Sequence, residues 1–225
     1  MPCRKTLTML LIGALPGFAH AGWYATASLG QSRTSSDLVQ NRESTIVNAS
    51  NFSTDFDSRD SAWKIGGGYR FNPYLAVEAN YVDLGRHSMV TTMLAGDAPV
   101  FAAIAIERKI TGFGADLVAS YPFEQRFAVY GRVGAFASRL EAEAALSGNI
   151  VFTNGDPTET HRKTNRNETV LRYGIGASWT LWNNGALHVE WERYNKVGKA
   201  FAIGGSGTTG EADTDAYWFG VTQRF

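Results

Sequence analysis

The sequence predicts an all-β fold: an eight-stranded antiparallel up-and-down transmembrane β-barrel with short periplasmic turns and long extracellular loops. Three observations predict it. About eight segments alternate apolar and polar residues with period 2, short and long connections alternate along the chain, and aromatic residues gather at the strand ends beside the short connections.

Bulk composition alone describes an ordinary soluble chain. The 225 residues carry 21 basic and 21 acidic side chains, 44% hydrophobic residues and 19% charged ones. That balance, with no run of Lys or Arg, excludes a typical nucleic-acid binder. No apolar run approaches the roughly 18 residues of a membrane-spanning helix. The 24 glycines beside 13 Phe, 9 Tyr and 6 Trp favour strands with close backbone packing over helices.

The first segment is expected to be a secretory signal peptide, residues 1–21, with the barrel domain in 22–225. Arg4 and Lys5 precede the apolar run Leu7–Ala14, and Ala19-His20-Ala21 offers the small residues at which a signal peptidase cuts, before Gly22. Cleavage there removes two of the 21 basic residues, leaving 19 against 21 acidic and a formal charge of −2. It also removes Cys3, the only cysteine, so disulfides cannot staple the mature chain.

Eight strands follow: Trp23–Ser32, Ser61–Phe71, Leu75–Gly85, Ala102–Tyr121, Phe127–Leu146, Glu168–Leu181, Ala186–Asn195 and Asp213–Phe225. Asn72-Pro73-Tyr74, Pro122–Arg126 and Trp182-Asn183-Asn184-Gly185 are short and rich in turn formers. Arg33–Asp60, Arg86–Phe101, Ser147–Asn167 and Lys196–Ala212 are long and polar. A soluble sandwich has no reason to sort its loops this way, whereas a transmembrane barrel places all short connections on one side.

The strand faces indicate the solvent. Leu187, Val189 and Trp191 alternate with His188, Glu190, Glu192 and Tyr194; Trp63, Ile65, Tyr69 and Phe71 alternate with Lys64, Gly66, Gly68 and Arg70. Eight strands enclose too little space for the bulky rings, so these belong outside and the glycines and charges inside. Trp23, Phe71, Tyr74, Tyr121, Phe123, Phe127, Trp179, Trp182 and Phe225 make a girdle near the short turns, and Trp63, Phe113, Tyr194 and Tyr217 a sparser one near the long loops.

Residues Gly66 to Gly85, in which Gly68-Tyr69-Arg70-Phe71-Asn72-Pro73-Tyr74 is followed by Glu78 and by Tyr81-Val82-Asp83-Leu84-Gly85, resemble the second hairpin of the OmpA-like outer-membrane β-barrel family. Gly22-Trp23-Tyr24 to Leu29-Gly30 is similar to that family's first strand. Phe219, Gly220, Val221 and the terminal Phe225 are similar to its C-terminal assembly signal, with Gln223 where an aromatic or apolar residue is usual. The resemblance implies a barrel-only member, in layout like small surface barrels of the OmpX, Ail and Opa type. It implies lipid and lipopolysaccharide as surroundings, the barrel-assembly machinery as a partner of the last strand, and an outer-membrane location.

The lumen face is expected to hold Lys64, Arg70, Arg132, Arg172 and Arg224 against Glu78, Asp116, Glu190 and Glu192. In a low-dielectric interior such charges must pair, which reads as a salt-bridge plug; exchange of partners would make it a small gated ion path. Catalysis finds little support. His87 and Ser88 are neighbours on a strand and face opposite ways, and no histidine spacing suits a metal. Gly204–Gly210 lacks the lysine of a phosphate loop, and Asp55, Asp57 and Asp60 lack a calcium-loop pattern. The expectation is a monomeric, non-enzymatic surface barrel with a structural or adhesin-like role, without cofactor or nucleic acid, whose loops meet a host or cell-surface ligand. A lipid-modifying enzyme and a small ion channel are the alternatives. The fourth and fifth strands, about 20 residues each, exceed the roughly 9–11 needed to cross, so Val100–Ile106 and Leu140–Leu146 are expected above the membrane.

Overall fold

The computed structural model describes residues 22–35, 51–94, 102–123, 126–148, 158–198 and 212–225. The expected signal peptide and most of the first and last long loops lie outside the described residues. The strands are β1 (Gly22–Thr34), β2 (Asn51–Asp57), β3 (Arg59–Asn72), β4 (Leu75–Leu94), β5 (Ala102–Pro122), β6 (Phe127–Gly148), β7 (His161–Trp182), β8 (Gly185–Val197) and β9 (Ala212–Arg224). All pairings are antiparallel, β1 pairs with β9, and β4 pairs with β5, so the sheet closes on itself. Only Ser58 separates β2 from β3, and both run along β4. They form one wall, and the barrel has eight.

Three boundaries differ from the sequence reading. Residues 51–57, 86–94 and 161–167, expected in loops, are strand. Their outward side chains include Arg86, Ser88, Lys163 and Asn165, so the lipid-facing apolar signal that marks the lower strands is missing there, while inward ones such as His87 and Met89 are buried.

The burial pattern is that of a soluble protein turned inside out. Leu29, Phe113 and Ile175 are 73, 68 and 61% exposed, while Arg172 and Glu192 are 0% exposed. Charged residues are almost never fully buried unless paired, and such an apolar exterior needs lipid around it. All nine residues of the short-turn girdle are exposed, and Phe127 stacks on Trp179 with ring centroids 5.6 Å apart. In the upper set Trp63, Phe113 and Tyr217 are exposed, but Tyr194 is fully buried. Strand parity is the reason: Tyr194 follows His188, Glu190 and Glu192 on the inward face.

The apolar belt ends at a collar of outward polar residues joined by strand register: Asp83, Thr111, Arg139 and Asn167 on β4 to β7, with Arg33, Asp215 and Arg193 on β1, β9 and β8. Below it, residues 127–137 of β6 match the roughly 9–11 residues of a crossing strand. Above it β2 and β4 to β7 continue. Their outer face is charged, with Arg86 paired to Glu107 at 3.0 Å, Lys109 to Asp83 at 3.5 Å and Arg139 to Glu141 at 3.0 Å. Their inner face carries a small apolar cluster of Met89, Ile106, Ala144 and Leu146. Residues 102–106 and 140–146 lie beyond the collar; Val100 and Phe101 are outside the described residues.

One bulge marks the transition. Gly85 has φ +78°, a left-handed conformation glycine adopts without penalty. The β4–β5 register shifts there. Asp83 Oδ1 accepts from Gly85 N at 2.9 Å and Asp60 Oδ2 from Arg86 N at 2.6 Å, which satisfies the donors the bulge frees.

Candidate functional site

The inward faces of β3 to β8 meet in a charged plug at mid-barrel. Lys64 Nζ lies 2.5 Å from Glu190 Oε1 and 2.9 Å from Glu192 Oε1. Arg132 reaches Glu78 at 3.0 Å, Glu190 at 2.9 Å, and both Asp116 and Glu192 at 3.2 Å. Arg172 binds Asp116 through two nitrogens and donates to Asn80 Oδ1 at 2.9 Å. Three cations thus face four carboxylates, and neutral donors complete the set. Tyr24 donates to Glu78 at 3.2 Å, Tyr194 to Glu192 at 2.6 Å, and the Trp218 indole to Glu192 at 2.8 Å. Removing such charges from water is costly, and only this density of partners offsets it.

Strand register makes the contacts possible. Arg132 on β6 and Glu192 on β8 both pair with Gly174 on the intervening β7. With no side chain at Gly174, the two meet across it. Over the plug lies an apolar layer that includes Val82, Leu84, Ile110, Phe136 and Leu140.

Seven of the nine charges expected in the lumen are joined in this plug. Arg70 and Arg224 are not. Both point inward, but close to the short-turn end, below the carboxylates, and neither makes an ion pair among the described residues. They line a cavity of about 420 Å³ at the periplasmic mouth, and both are half-buried there. Of the C-terminal residues, Phe219, Val221 and Phe225 face outward and are exposed, and Gly220 is inward and buried. Gln223 holds a partner, accepting from Trp182 Nε1 at 3.2 Å.

Two serine–histidine contacts escaped the sequence reading, because they join strands whose neighbour relations appear only once the barrel closes. Ser28 Oγ is 3.0 Å from His188 Nε2, and Thr222 Oγ1 is 3.2 Å from His188 Nδ1. Above the collar, Ser32 Oγ donates to Leu84 O at 2.5 Å, so His87 Nε2, 3.1 Å away, is the donor to Ser32. His87 Nδ1 is buried with no hydrogen-bond partner among the described residues. Burial, reinforced by the charge of Arg108, pushes the pKa of His87 down to about 4. Both pairs lie inside the barrel, and neither histidine is hydrogen-bonded to a carboxylate. Ser88 is exposed on the face opposite to His87, as strand parity requires. Among the described residues no cluster of His, Cys, Asp or Glu suits a metal; Asp60 is occupied by backbone amides, and Gly204–Gly210 lies outside the described residues.

Comparison with known proteins agrees with this geometry. Residues 6–225 match the outer membrane protein beta-barrel domain family. The chain belongs to that family. As an outer-membrane β-barrel it lies in the outer membrane, its apolar belt against lipid and lipopolysaccharide. It is 25% identical over 211 residues to outer membrane protein A of Klebsiella aerogenes, a match covering 89% of this chain and 51% of that protein. The chain thus spans about half the length of the curated relative it matches. Among solved structures, Neisserial surface protein A shares the fold, with a TM-score of 0.51 and 15% identity over 91% of this chain and 97% of that one. Ail of Yersinia pestis, in complex with the heparin analogue sucrose octasulfate, aligns with a TM-score of 0.44 and 13% identity over 91% and 99% of the two chains.

Proposed function

We propose that this outer-membrane barrel is a non-catalytic, monomeric surface protein whose extracellular wall carries an adhesin-like interaction, while its lumen is a plug that holds the barrel rigid. The observation that carries the reading is the wall above the collar. Five of the nine strands continue beyond the lipid belt, and β1, β8 and β9 stop near it. A membrane anchor alone needs no such extension, and a row of paired surface charges on a rigid sheet suits recognition of another surface. The two serine-bonded histidines, His87 and His188, lie inside the barrel with no carboxylate hydrogen-bonded to either among the described residues, which supports a non-catalytic role. The C-terminal Phe219, Val221 and Phe225 are proposed to be read by the barrel-assembly machinery.

The test compares whole cells with the protein, without it, and with a variant whose wall is shortened by removing 88–106 and 142–164. Binding to host or neighbouring-cell surfaces is expected with the full protein and lost with the shortened one, while heat-modifiable gel mobility persists. Equal binding by cells with and without the protein would sink the reading.

A further inference from the structure

The periplasmic mouth of the barrel is built differently from the plug above it. Its cavity of about 420 Å³ is within the usual range of small-ligand sites, roughly 300–1,000 Å³. The floor is neutralised: Glu78, the carboxylate lining it, is already held by Arg132 and Tyr24. The rim is not. Arg70, Arg224 and Arg126 line the same space, and none makes an ion pair among the described residues.

Two of these arginines are set to act together. On β3 and β9 they flank β1, where Gly22 pairs with Arg70 and Tyr24 with Arg224. Adjacent strands are about 4.8 Å apart, so two long side chains starting two strands apart can converge. Gly22 puts nothing between them, and the Arg70 guanidinium lies 6.0 Å from the Tyr24 ring centroid, which orients it. Tyr130, Ser178, Thr180 and Thr222 are among the residues that line the rest of the wall, beside small apolar ones such as Ala76 and Val118. Paired guanidinium forks in a recess lined in part by hydroxyl-bearing residues match a tetrahedral oxyanion carried on a polar body.

The geometry points to a solute-binding site in this vestibule, in which Arg70 and Arg224 hold the phosphate group of a small, hydroxylated, water-soluble compound. The barrel wall separates the cavity from lipid, so the ligand arrives from the periplasm and not from the bilayer.

The full chain, folded in neutral detergent, is titrated with glycerol 3-phosphate and, separately, with glycerol. Saturable binding of the phosphate ester, amide shifts at Ser178 and Thr222, and no binding of glycerol are expected. Each arginine–phosphate contact is a charge-assisted hydrogen bond, so Arg70→Gln and Arg224→Gln are each expected to weaken binding about tenfold or more. Arg224→Lys keeps the charge and is expected to lose less. Heat-modifiable mobility identifies variants that still form the barrel, and only those are compared. Absence of saturable binding by the unmodified protein overturns the proposal, as does unchanged affinity in a folded Arg70→Gln, Arg224→Gln double variant.

Discussion

Asp116 and Arg172 meet over a residue that has no side chain. Gly134 on β6 is in register with Asp116 on β5 and with Arg172 on β7, and Arg172 Nε donates to Asp116 Oδ1 at 3.1 Å above it. The same device recurs around the barrel. Tyr24 reaches Glu78 over Gly68, and Ser28 reaches His188 over Gly220. In a narrow lumen an inward glycine on one strand gives its two neighbours the space to bond, so the glycines and the charges of this sequence are one feature.

A side chain at Gly134 should therefore break the plug. A Cβ there overlaps Asp116 Oδ1 and the Ala115 carbonyl. Gly134→Val is expected to destabilise the barrel by about 3–5 kcal/mol, the usual cost of separating a buried ion pair. Gly131→Ala on the same strand is the control: its Cβ meets nothing closer than Gly174 O at 3.8 Å. Urea unfolding from lipid vesicles separates the two. Equal midpoints would show that the bridge over Gly134 carries little stability.

What could be read from the sequence followed strand parity. Lys64, Glu78, Arg132, Glu190 and Glu192 read as inward from sequence alone because a period of 2 fixes the face. Depth is a different quantity, set by the stagger of neighbouring strands, and no single strand encodes it. For that reason parity alone groups Arg70 and Arg224 with the plug, although they open into the vestibule. Tyr194 shows the same gap from the other side, since its rank near a loop suggested a girdle and its parity put it beside Arg172. The upper parts of β4 and β7 were hidden for a third reason. Arg86, Ser88, Lys163 and Asn165 face outward, and alternation without a lipid-facing apolar side resembles a loop.

His87 predicts an acid-sensitive extracellular end. It lies above the collar, facing Ser32, with Arg108 nearby and Asp57 and Asp60 the acidic groups acting on it. Its folded pKa of about 4 lies below the unfolded value of 6.5, so between these values the unfolded chain binds more protons. Its contribution is complete above about pH 6.5 and is lost as the pH falls toward 4, by up to about 3 kcal/mol at 1.36 kcal/mol per pH unit. His87→Gln removes the titration, so its unfolding midpoint should change less between pH 7 and pH 4.5 than that of the unmodified barrel. Parallel curves would assign the acid sensitivity to other groups.

The C-terminal strand predicts an assembly defect separable from stability. Phe225 is 80% exposed at the end of β9 and contributes little to packing. Its removal is expected to leave detergent refolding unchanged and to lower the amount reaching the outer membrane in cells several-fold. Gln223→Leu restores an apolar residue two positions before the end but leaves the Trp182 indole without its partner. Outer-membrane yield of that variant should equal or exceed the unmodified level. A yield unaffected by loss of Phe225 would mean that the machinery reads another segment.

The plug itself predicts electrical silence. Lys64, Arg132 and Arg172 are each at most 5% exposed at the side chain, and an apolar layer covers them on the extracellular side. The unmodified barrel in a planar bilayer is expected to show no stepwise conductance. Arg132 is the hub, touching four carboxylates, so Arg132→Met leaves Glu78 without a cation and only Lys64 and Arg172 to balance Asp116, Glu190 and Glu192. That variant should lose about 3–5 kcal/mol of stability and admit water and cations toward the uncompensated carboxylates. Arg132→Lys retains the charge but not the fork and should fall between the two in stability while staying closed. Steady single-channel openings of the unmodified barrel, altered in size by charge exchange at Arg132 and Glu190, would make the lumen a conducting path and the network its gate.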